Sequence, residues 1–100
     1  MRATASVEEV HQASRLRIVL AVRHQLLLEA LAQLLERAGL DVAGRCTSVP
    51  DLERCVRAHA PDVALVDADM GDDPGELIAA VGRGLAGGRL VLLSPRLDPE

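Results

Sequence analysis

Aromatic residues are missing from this chain of 100 residues, which contains no Phe, Tyr or Trp. A protein without them cannot bind single-stranded nucleic acid by stacking bases on aromatic side chains, and its core must be aliphatic. Apolar residues nevertheless make up 49% of the sequence, and nearly all of them are Leu, Val and Ala. A chain of this length forms one domain at most, which buries roughly two-thirds of its unfolded surface.

Positive charge and long apolar runs are also scarce. The formal net charge is −4, which argues against a DNA-binding module because such modules normally present a basic face. No apolar run reaches membrane-spanning length and no signal segment opens the chain, so we expect a cytoplasmic protein without a membrane partner. The two cysteines, Cys46 and Cys55, fit no metal-ligand spacing and are expected to be small core residues rather than a disulfide.

Two apolar patterns alternate along the chain. Short apolar runs predict strands. In the second of these strands apolar and polar residues alternate, which is typical of an edge strand. The predicted strands are residues 16–21, 40–46, 62–67 and 89–94. Segments with helical period predict helices over residues 26–37, 49–58 and 74–82. This alternation predicts right-handed βαβ crossovers and an α/β fold with a doubly wound parallel sheet.

Each predicted helix carries one apolar face that we expect to lie against the sheet. The expected core residues are Leu27, Leu31, Leu34 and Leu35 in the first helix, Leu52, Cys55 and Val56 in the second, and Leu77, Ile78 and Val81 in the third. Residues 1–14 are weakly patterned and are expected to form a flexible tail, although a frayed helical turn is an alternative.

The third predicted strand ends on a carboxylate, that of Asp67. The preceding run is short and rich in branched residues, as is typical of a strand buried on both faces. Functional groups in open α/β sheets collect just beyond the carboxyl ends of the strands. Parallel pairing would bring Val22, Arg23, Asp67 and Ser94 to one rim of the sheet.

Two other patterns have simpler interpretations. Residues 82–87 match a Gly-rich dinucleotide pattern, but they follow a helix and precede a strand, whereas the phosphate-binding version opens a helix. A helix-to-strand connection is therefore favoured. The acidic residues Asp69, Asp72 and Asp73 form either a cation site or a solvated loop, and the loop is the simpler interpretation.

Residues 16–21 with His24, residues 60–67 and residues 89–94 resemble the receiver domain of bacterial response regulators. The resemblance is to the NarL/FixJ-like type that is joined to a LuxR-like helix-turn-helix, and it covers about residues 16–95. It implies a flavodoxin-like (CheY-like) fold with strand order 2-1-3-4. The usual fifth strand and last helix would be missing, so residues 15–100 would form a truncated receiver domain.

The resemblance also implies roles for individual residues. In this family a sensor kinase phosphorylates the Asp at the end of the third strand, which is the position of Asp67. The family holds Mg²⁺ with this Asp, with an acidic pair after the first strand, and with a backbone carbonyl that here belongs to Asp69. The hydroxyl position on the fourth strand is Ser94, and a Lys on a fifth strand normally completes the site.

The chain departs from that pattern where the metal should bind. Val22 and Arg23 replace the acidic pair, Gly71 replaces the usual loop Pro, and the strand that carries the Lys is missing. Mg²⁺ requires oxygen ligands, and phosphoryl transfer depends on such a metal. We therefore expect Mg²⁺ binding and phosphorylation of Asp67 to be weak or lost, with no cofactor. The guanidinium of Arg23 either pairs with Asp67 or points into solvent.

The sequence thus favours a non-enzymatic regulatory receiver that is controlled without Mg²⁺-dependent phosphorylation. It would act through dimerisation or through binding a small ligand or partner protein at the rim, with His24, Asp69 and Met70 as possible contacts. An exposed fourth strand favours a homodimer. DNA would be bound only by a C-terminal helix-turn-helix domain that is not in this chain.

Two alternatives remain. The first is a functional phospho-acceptor of a two-component system, in which a sensor kinase phosphorylates Asp67 and Asp69 or Asp72 substitutes as a metal ligand. The second is a small α/β enzyme, which is disfavoured because no base, nucleophile or cofactor motif occurs in a suitable context.

Overall fold

A computed structural model describes residues 16–71, 73–82, 84–85 and 87–94. Within these ranges the strands are β1 (Arg17–Ala21), β2 (Asp41–Cys46), β3 (Val63–Asp67) and β4 (Arg89–Leu93). The helices are α1 (Gln25–Arg37), α2 (Val49–His59) and α3 (Pro74–Gly82). Every predicted element is present, and its ends lie within one residue of the prediction. The predicted tail at residues 1–14 and the loop residue Asp72 lie outside the described residues.

The four strands form one parallel sheet in the order β2-β1-β3-β4, which confirms the predicted topology. At the carboxyl ends, Ala21 pairs with Cys46 on one side and with Val66 on the other, and Asp67 pairs with Leu93. Strands β2 and β4 are therefore the edges of the described sheet. The residues that follow β1, β3 and β4 share one rim.

Local sequence signals explain where α2 begins and ends. The Ser48 hydroxyl accepts a hydrogen bond from the backbone N–H of Asp51 at 3.3 Å, and Pro50 occupies the first turn, where its missing N–H costs nothing. At the other end Ala60 adopts the left-handed conformation with φ of 45°, and Pro61 prevents continuation. Helix α1 is followed by Gly39 at φ of 92°, the conformation that favours glycine.

The sheet separates two apolar clusters. Helices α2 and α3 cover the first cluster, here called the major core, whose buried members are Val19, Ala21, Cys46, Leu52, Val56, Ala64, Val66, Leu77 and Val81. Helix α1 covers the second cluster, the minor core, whose buried members are Leu20, Val22, Leu28 and Ala32. Helix α1 packs over β1 and β2. The same face of β3 and β4 is consequently less well covered.

The buried faces of α1 and α3 differ from the prediction. In α1 the buried residues are Leu28 and Ala32, whereas Leu27 is at the surface and Leu34 is 59% exposed. The Leu-rich segment carries two overlapping helical stripes, and packing against the sheet selects the one that contains the small Ala32. In α3 the side chain of Ile78 is 54% exposed, and Ala80 is buried instead.

The other core expectations hold. Leu52 and Val56 of α2 are buried, Cys55 packs against the major core, and both cysteines are free. The Gly-rich segment connects α3 to β4, as its position between helix and strand predicted. None of the helices in the described ranges is long and apolar enough to cross a membrane.

A candidate regulatory site at the carboxyl ends of the strands

Asp67, the last residue of β3, is the only buried charged residue in the described part of the chain, with 2% of its surface exposed. Its Oδ2 accepts a hydrogen bond from the backbone N–H of Arg23 at 3.2 Å, and its Oδ1 accepts one from the backbone N–H of Asp69 at 3.0 Å. No ion pair among the described residues reaches this carboxylate. Two backbone donors therefore satisfy a buried charge in part and fasten the loops after β1 and β3 together.

Arg23 contacts this site in a way that neither sequence alternative described. Its side chain does not form the expected ion pair with Asp67, and it does not simply point into solvent. Its guanidinium is exposed but donates a hydrogen bond through Nη1 to the backbone carbonyl oxygen of Asp69, at 3.4 Å. Keeping the guanidinium at the surface avoids the free-energy cost of burying a second charge beside Asp67.

Val22 occupies the other position that the resemblance gives to an acid. Its side chain is buried and belongs to the minor core, so the first strand contributes hydrocarbon to the rim instead of an oxygen ligand. In the described ranges, no three or more His, Cys, Asp or Glu side chains are grouped so that they could hold a metal ion.

His24 and Met70 lie beside the site and have structural roles there. His24 is the N-cap residue of α1, and its backbone carbonyl accepts the N–H of Leu28 at 2.9 Å, but its side chain makes no cap hydrogen bond. Met70 packs against the major core, and its backbone N–H donates to the carbonyl oxygen of Asp67 at 3.0 Å. Both residues therefore shape the loops around Asp67.

A cavity of about 310 Å³ opens between α1 and the carboxyl ends of β3 and β4. We call it the rim cavity, and its lining residues are Val22, Leu27, Leu31, Asp67, Leu93 and Ser94. It brings together three of the predicted site residues, namely Val22, Asp67 and Ser94, while Arg23, His24, Asp69 and Met70 do not line it.

Sequence reasoning missed the apolar part of this cavity. Leu27 and Leu31 were assigned to a filled core, and Leu93 was treated as one residue of an apolar strand. The available signal was the surplus of Leu in α1, which is larger than one helical stripe against the sheet requires.

No protein-family model and no curated protein matches this chain. Its structure is similar to the signal receiver domain of the putative response regulator NarL from Mycobacterium tuberculosis, with a TM-score of 0.72 and 29% sequence identity. That match covers 85% of this chain and 70% of the other.

Two further solved structures are similar. The signal receiver domain of a modulated diguanylate cyclase from Desulfovibrio desulfuricans G20 matches with a TM-score of 0.71 and 26% identity, over 82% of this chain and 66% of that one. A two-component response regulator of the LuxR family from Aurantimonas sp. SI85-9A1 matches with a TM-score of 0.73 and 22% identity, over 85% and 62%. The chain thus spans about two thirds of the length of these structures.

Proposed function

This chain is a receiver domain of the response-regulator type, and we propose that it regulates its output without Mg²⁺-dependent phosphorylation of Asp67. The main support is Arg23, whose guanidinium donates to the backbone carbonyl oxygen of Asp69. In the family that the sequence resembles, the backbone carbonyl oxygen at this position is a ligand of the metal ion. In our proposal, the permanent positive charge of the Arg23 guanidinium therefore takes the place of a metal ion, which could bind and dissociate.

The side chains at the rim also fit Mg²⁺ poorly. This ion requires near-octahedral oxygen coordination and is held by carboxylates and water. At the rim, Asp67 offers a buried carboxylate whose two oxygens each accept a backbone N–H, and the side chain of Val22 offers no donor atom. We expect Mg²⁺ to bind weakly or not at all, and we propose no other cofactor.

Weak metal binding would have a direct consequence for phosphorylation. Phosphoryl transfer depends on positioning and on neutralising the charge that develops on the phosphoryl oxygens, and a metal ion normally supplies much of that neutralisation. Each oxygen of the buried Asp67 carboxylate also accepts a backbone N–H, which makes the carboxylate a weaker nucleophile towards a phosphodonor. Both effects oppose modification of this carboxylate by a sensor kinase.

We propose that the output of this domain is transcription. One of the similar structures is a two-component response regulator of the LuxR family, and the sequence resembles receivers that are joined to a LuxR-like helix-turn-helix. The net charge of −4 gives this chain no evident means of binding DNA directly. DNA contact would therefore come from a helix-turn-helix domain outside the chain. The rim would receive a small ligand or a partner protein as the input.

Homodimerisation through β4 is part of the same proposal. Strand β4 pairs only with β3 in the described sheet, and Val91 and Leu92 are 42% and 39% exposed. An apolar edge strand with unpaired backbone groups favours pairing with another chain. We expect Leu92→Arg to shift the light-scattering mass towards that of a monomer. Leu26→Arg changes a more exposed leucine on α1 and serves as the matched control, which should leave the mass unchanged.

Reaction with acetyl phosphate tests the proposed function. The chain is incubated with acetyl phosphate and Mg²⁺, and intact-mass spectrometry then measures the fraction that carries one phosphoryl group. We expect no Mg²⁺-dependent product. A phosphoryl group that appears only with Mg²⁺ and disappears in Asp67→Asn would contradict the proposal and support the phospho-acceptor alternative.

A gain-of-function variant sharpens this test. Arg23 is exposed, so Arg23→Asp should fold, remove the guanidinium hydrogen bond to the Asp69 carbonyl oxygen and add a carboxylate to the rim. We expect this variant to gain Mg²⁺-dependent phosphorylation relative to the parent chain. The double variant Val22→Asp, Arg23→Asp restores both acids, at the cost of placing a carboxylate at a buried position.

A further inference from the structure

The rim cavity combines an apolar wall with one charged group. Val22, Leu27, Leu31 and Leu93 supply hydrocarbon, and Asp67 and Ser94 supply the polar atoms. Its volume of about 310 Å³ lies at the lower end of the range for small-molecule sites, which are typically apolar cavities with a few converging polar groups. This volume suits a small organic molecule better than a folded partner.

No ion pair among the described residues reaches the carboxylate in the cavity. The carboxylate of Asp67 accepts two backbone N–H groups, yet an ionised carboxylate has about four lone-pair sites. All cationic side chains of this protein other than histidine are arginines, and no described arginine lines the cavity. Arg23 is nearest in the sequence, but its guanidinium is engaged by the Asp69 carbonyl oxygen. A buried carboxylate in this state would be stabilised by a cation that enters from outside.

We propose that the rim cavity binds a small organic ammonium ion, with its hydrocarbon part against Leu27, Leu31 and Leu93 and its ammonium group on the carboxylate of Asp67. Ser94, whose side chain is exposed at the edge of the cavity, can accept a second N–H of the same ammonium group through its hydroxyl oxygen. The inference rests on the proposed function, because a metal ion or a phosphoryl group at Asp67 would need the same carboxylate oxygens.

Binding of a ligand at this position would be coupled to the conformation of the loops around it. The carboxylate that would receive the ammonium group already holds the backbone of Arg23 after β1 and the backbone of Asp69 after β3. Helix α1, which contributes Leu27 and Leu31, starts directly after the first of these loops. A ligand in the cavity would therefore contact α1, β4 and the carboxylate that holds both loops, and it can act only by favouring one arrangement of them.

Three six-carbon probes of different charge separate the contributions of charge and apolar surface. Hexylammonium, hexanol and hexanoate are titrated into the uniformly ¹⁵N-labelled chain, and the backbone amide shifts of Arg23, Leu31, Asp69 and Leu93 are followed. We expect hexylammonium to bind most tightly, hexanol more weakly and hexanoate most weakly. Shifts confined to other parts of the chain, or equal affinities for the three probes, would overturn the proposal.

Two variants test the two halves of the site. Asp67→Asn keeps the side-chain volume, removes the charge and replaces one of the two acceptor oxygens by an NH2 group. It should weaken hexylammonium binding roughly tenfold to a hundredfold, and unchanged hexanol binding would show that the cavity is intact. Leu93→Phe places a larger side chain on the cavity face of β4 and should weaken the binding of hexylammonium and hexanol together. Glu29→Gln removes an exposed carboxylate of α1 outside the cavity and is the matched control, for which hexylammonium binding should equal that of the parent.

The outcomes distinguish this inference from the function on which it rests. If the parent chain shows no Mg²⁺-dependent phosphorylation and also binds none of the three probes, the ammonium proposal fails and the proposed function stands. If Asp67 accepts a phosphoryl group in the presence of Mg²⁺, both proposals fail. A chain that binds none of the probes because a second copy closes the cavity would also refute the ammonium site, and light scattering would identify that state.

Discussion

The two faces of the sheet are built differently. Among the described residues, α2 and α3 enclose the major core on one face, with nine buried apolar residues. On the other face α1 is the one described helix over the minor core, which has four, and the rim cavity remains between this helix and β4. The same strands supply both faces, so the difference arises from how much helix covers each of them. We infer that the first face provides most of the stability and that the second face is where a ligand or partner can act.

The largest expected effect is the difference in lost unfolding free energy between a substitution in the major core and one beside the rim cavity. Leu52→Ala, in the major core, should lower the free energy of unfolding by about 2–5 kcal/mol, because it leaves a cavity among fully buried side chains. Leu31 is half-buried and already borders the rim cavity, so Leu31→Ala should lower the free energy of unfolding by only about 1 kcal/mol. Urea denaturation of both variants measures the difference. Equal losses would show that the two faces contribute equally to stability.

A smaller effect comes from the caps of α1 and α2. Ser48→Ala should destabilise the chain by about 1 kcal/mol, because it removes the hydroxyl that accepts the N–H of Asp51, and Ser48→Asp should retain most of the stability. Helix α1 has no side-chain cap at His24. His24→Ser should therefore stabilise the chain by up to about 1 kcal/mol. Thermal unfolding of the three variants gives their order of stability. If His24→Ser destabilises the chain, His24 has a role that the cap geometry does not reveal.

The smallest expected effect is a pH dependence that originates in the major core. Burial, with a further contribution from Cys55, raises the pKa of the Cys46 thiol from 9.0 to about 12. Since the folded state keeps this thiol protonated, its contribution to stability is complete well below pH 9, begins to decline as the pH approaches 9, and is lost as the pH rises towards 12. The free energy of unfolding should fall by about 0.4 kcal/mol between pH 8 and pH 9. Cys46→Ala should lack this part of the decrease, and an identical pH profile for the variant would contradict the assignment.

The parallel topology and the position of Asp67 could be predicted from the sequence pattern, whereas the strand order 2-1-3-4 followed from the resemblance to receiver domains. A short run of branched apolar residues that ends on a carboxylate fits a buried strand, and the alternation with helices fixes the parallel topology. The face of α1 could not be predicted, since Leu27 and Leu28 lie on two overlapping stripes of the same helix. Packing against the sheet selects the stripe that contains Leu28 and Ala32, which are buried together with Leu20 and Val22.

The contacts of Arg23 were beyond sequence reasoning for a different reason. Its charge suggested an ion pair with Asp67, but the backbone amides of Arg23 and Asp69 already satisfy that carboxylate in part. The guanidinium then reaches a carbonyl oxygen, a partner that no side-chain pattern shows. The rim cavity was missed for a similar reason, because a sequence records which residues are apolar and not how completely a helix covers them.

A Mg²⁺ titration of the parent chain and of Arg23→Asp, followed through the backbone amide shifts of Arg23, Asp67 and Asp69, tests the central claim most directly. We predict that millimolar Mg²⁺ leaves these amides unchanged in the parent and moves them in the variant, because the substitution removes the positive charge of the guanidinium and supplies a second carboxylate. Saturable shifts at these amides in the parent chain, at the same Mg²⁺ concentrations as in the variant, would contradict the account.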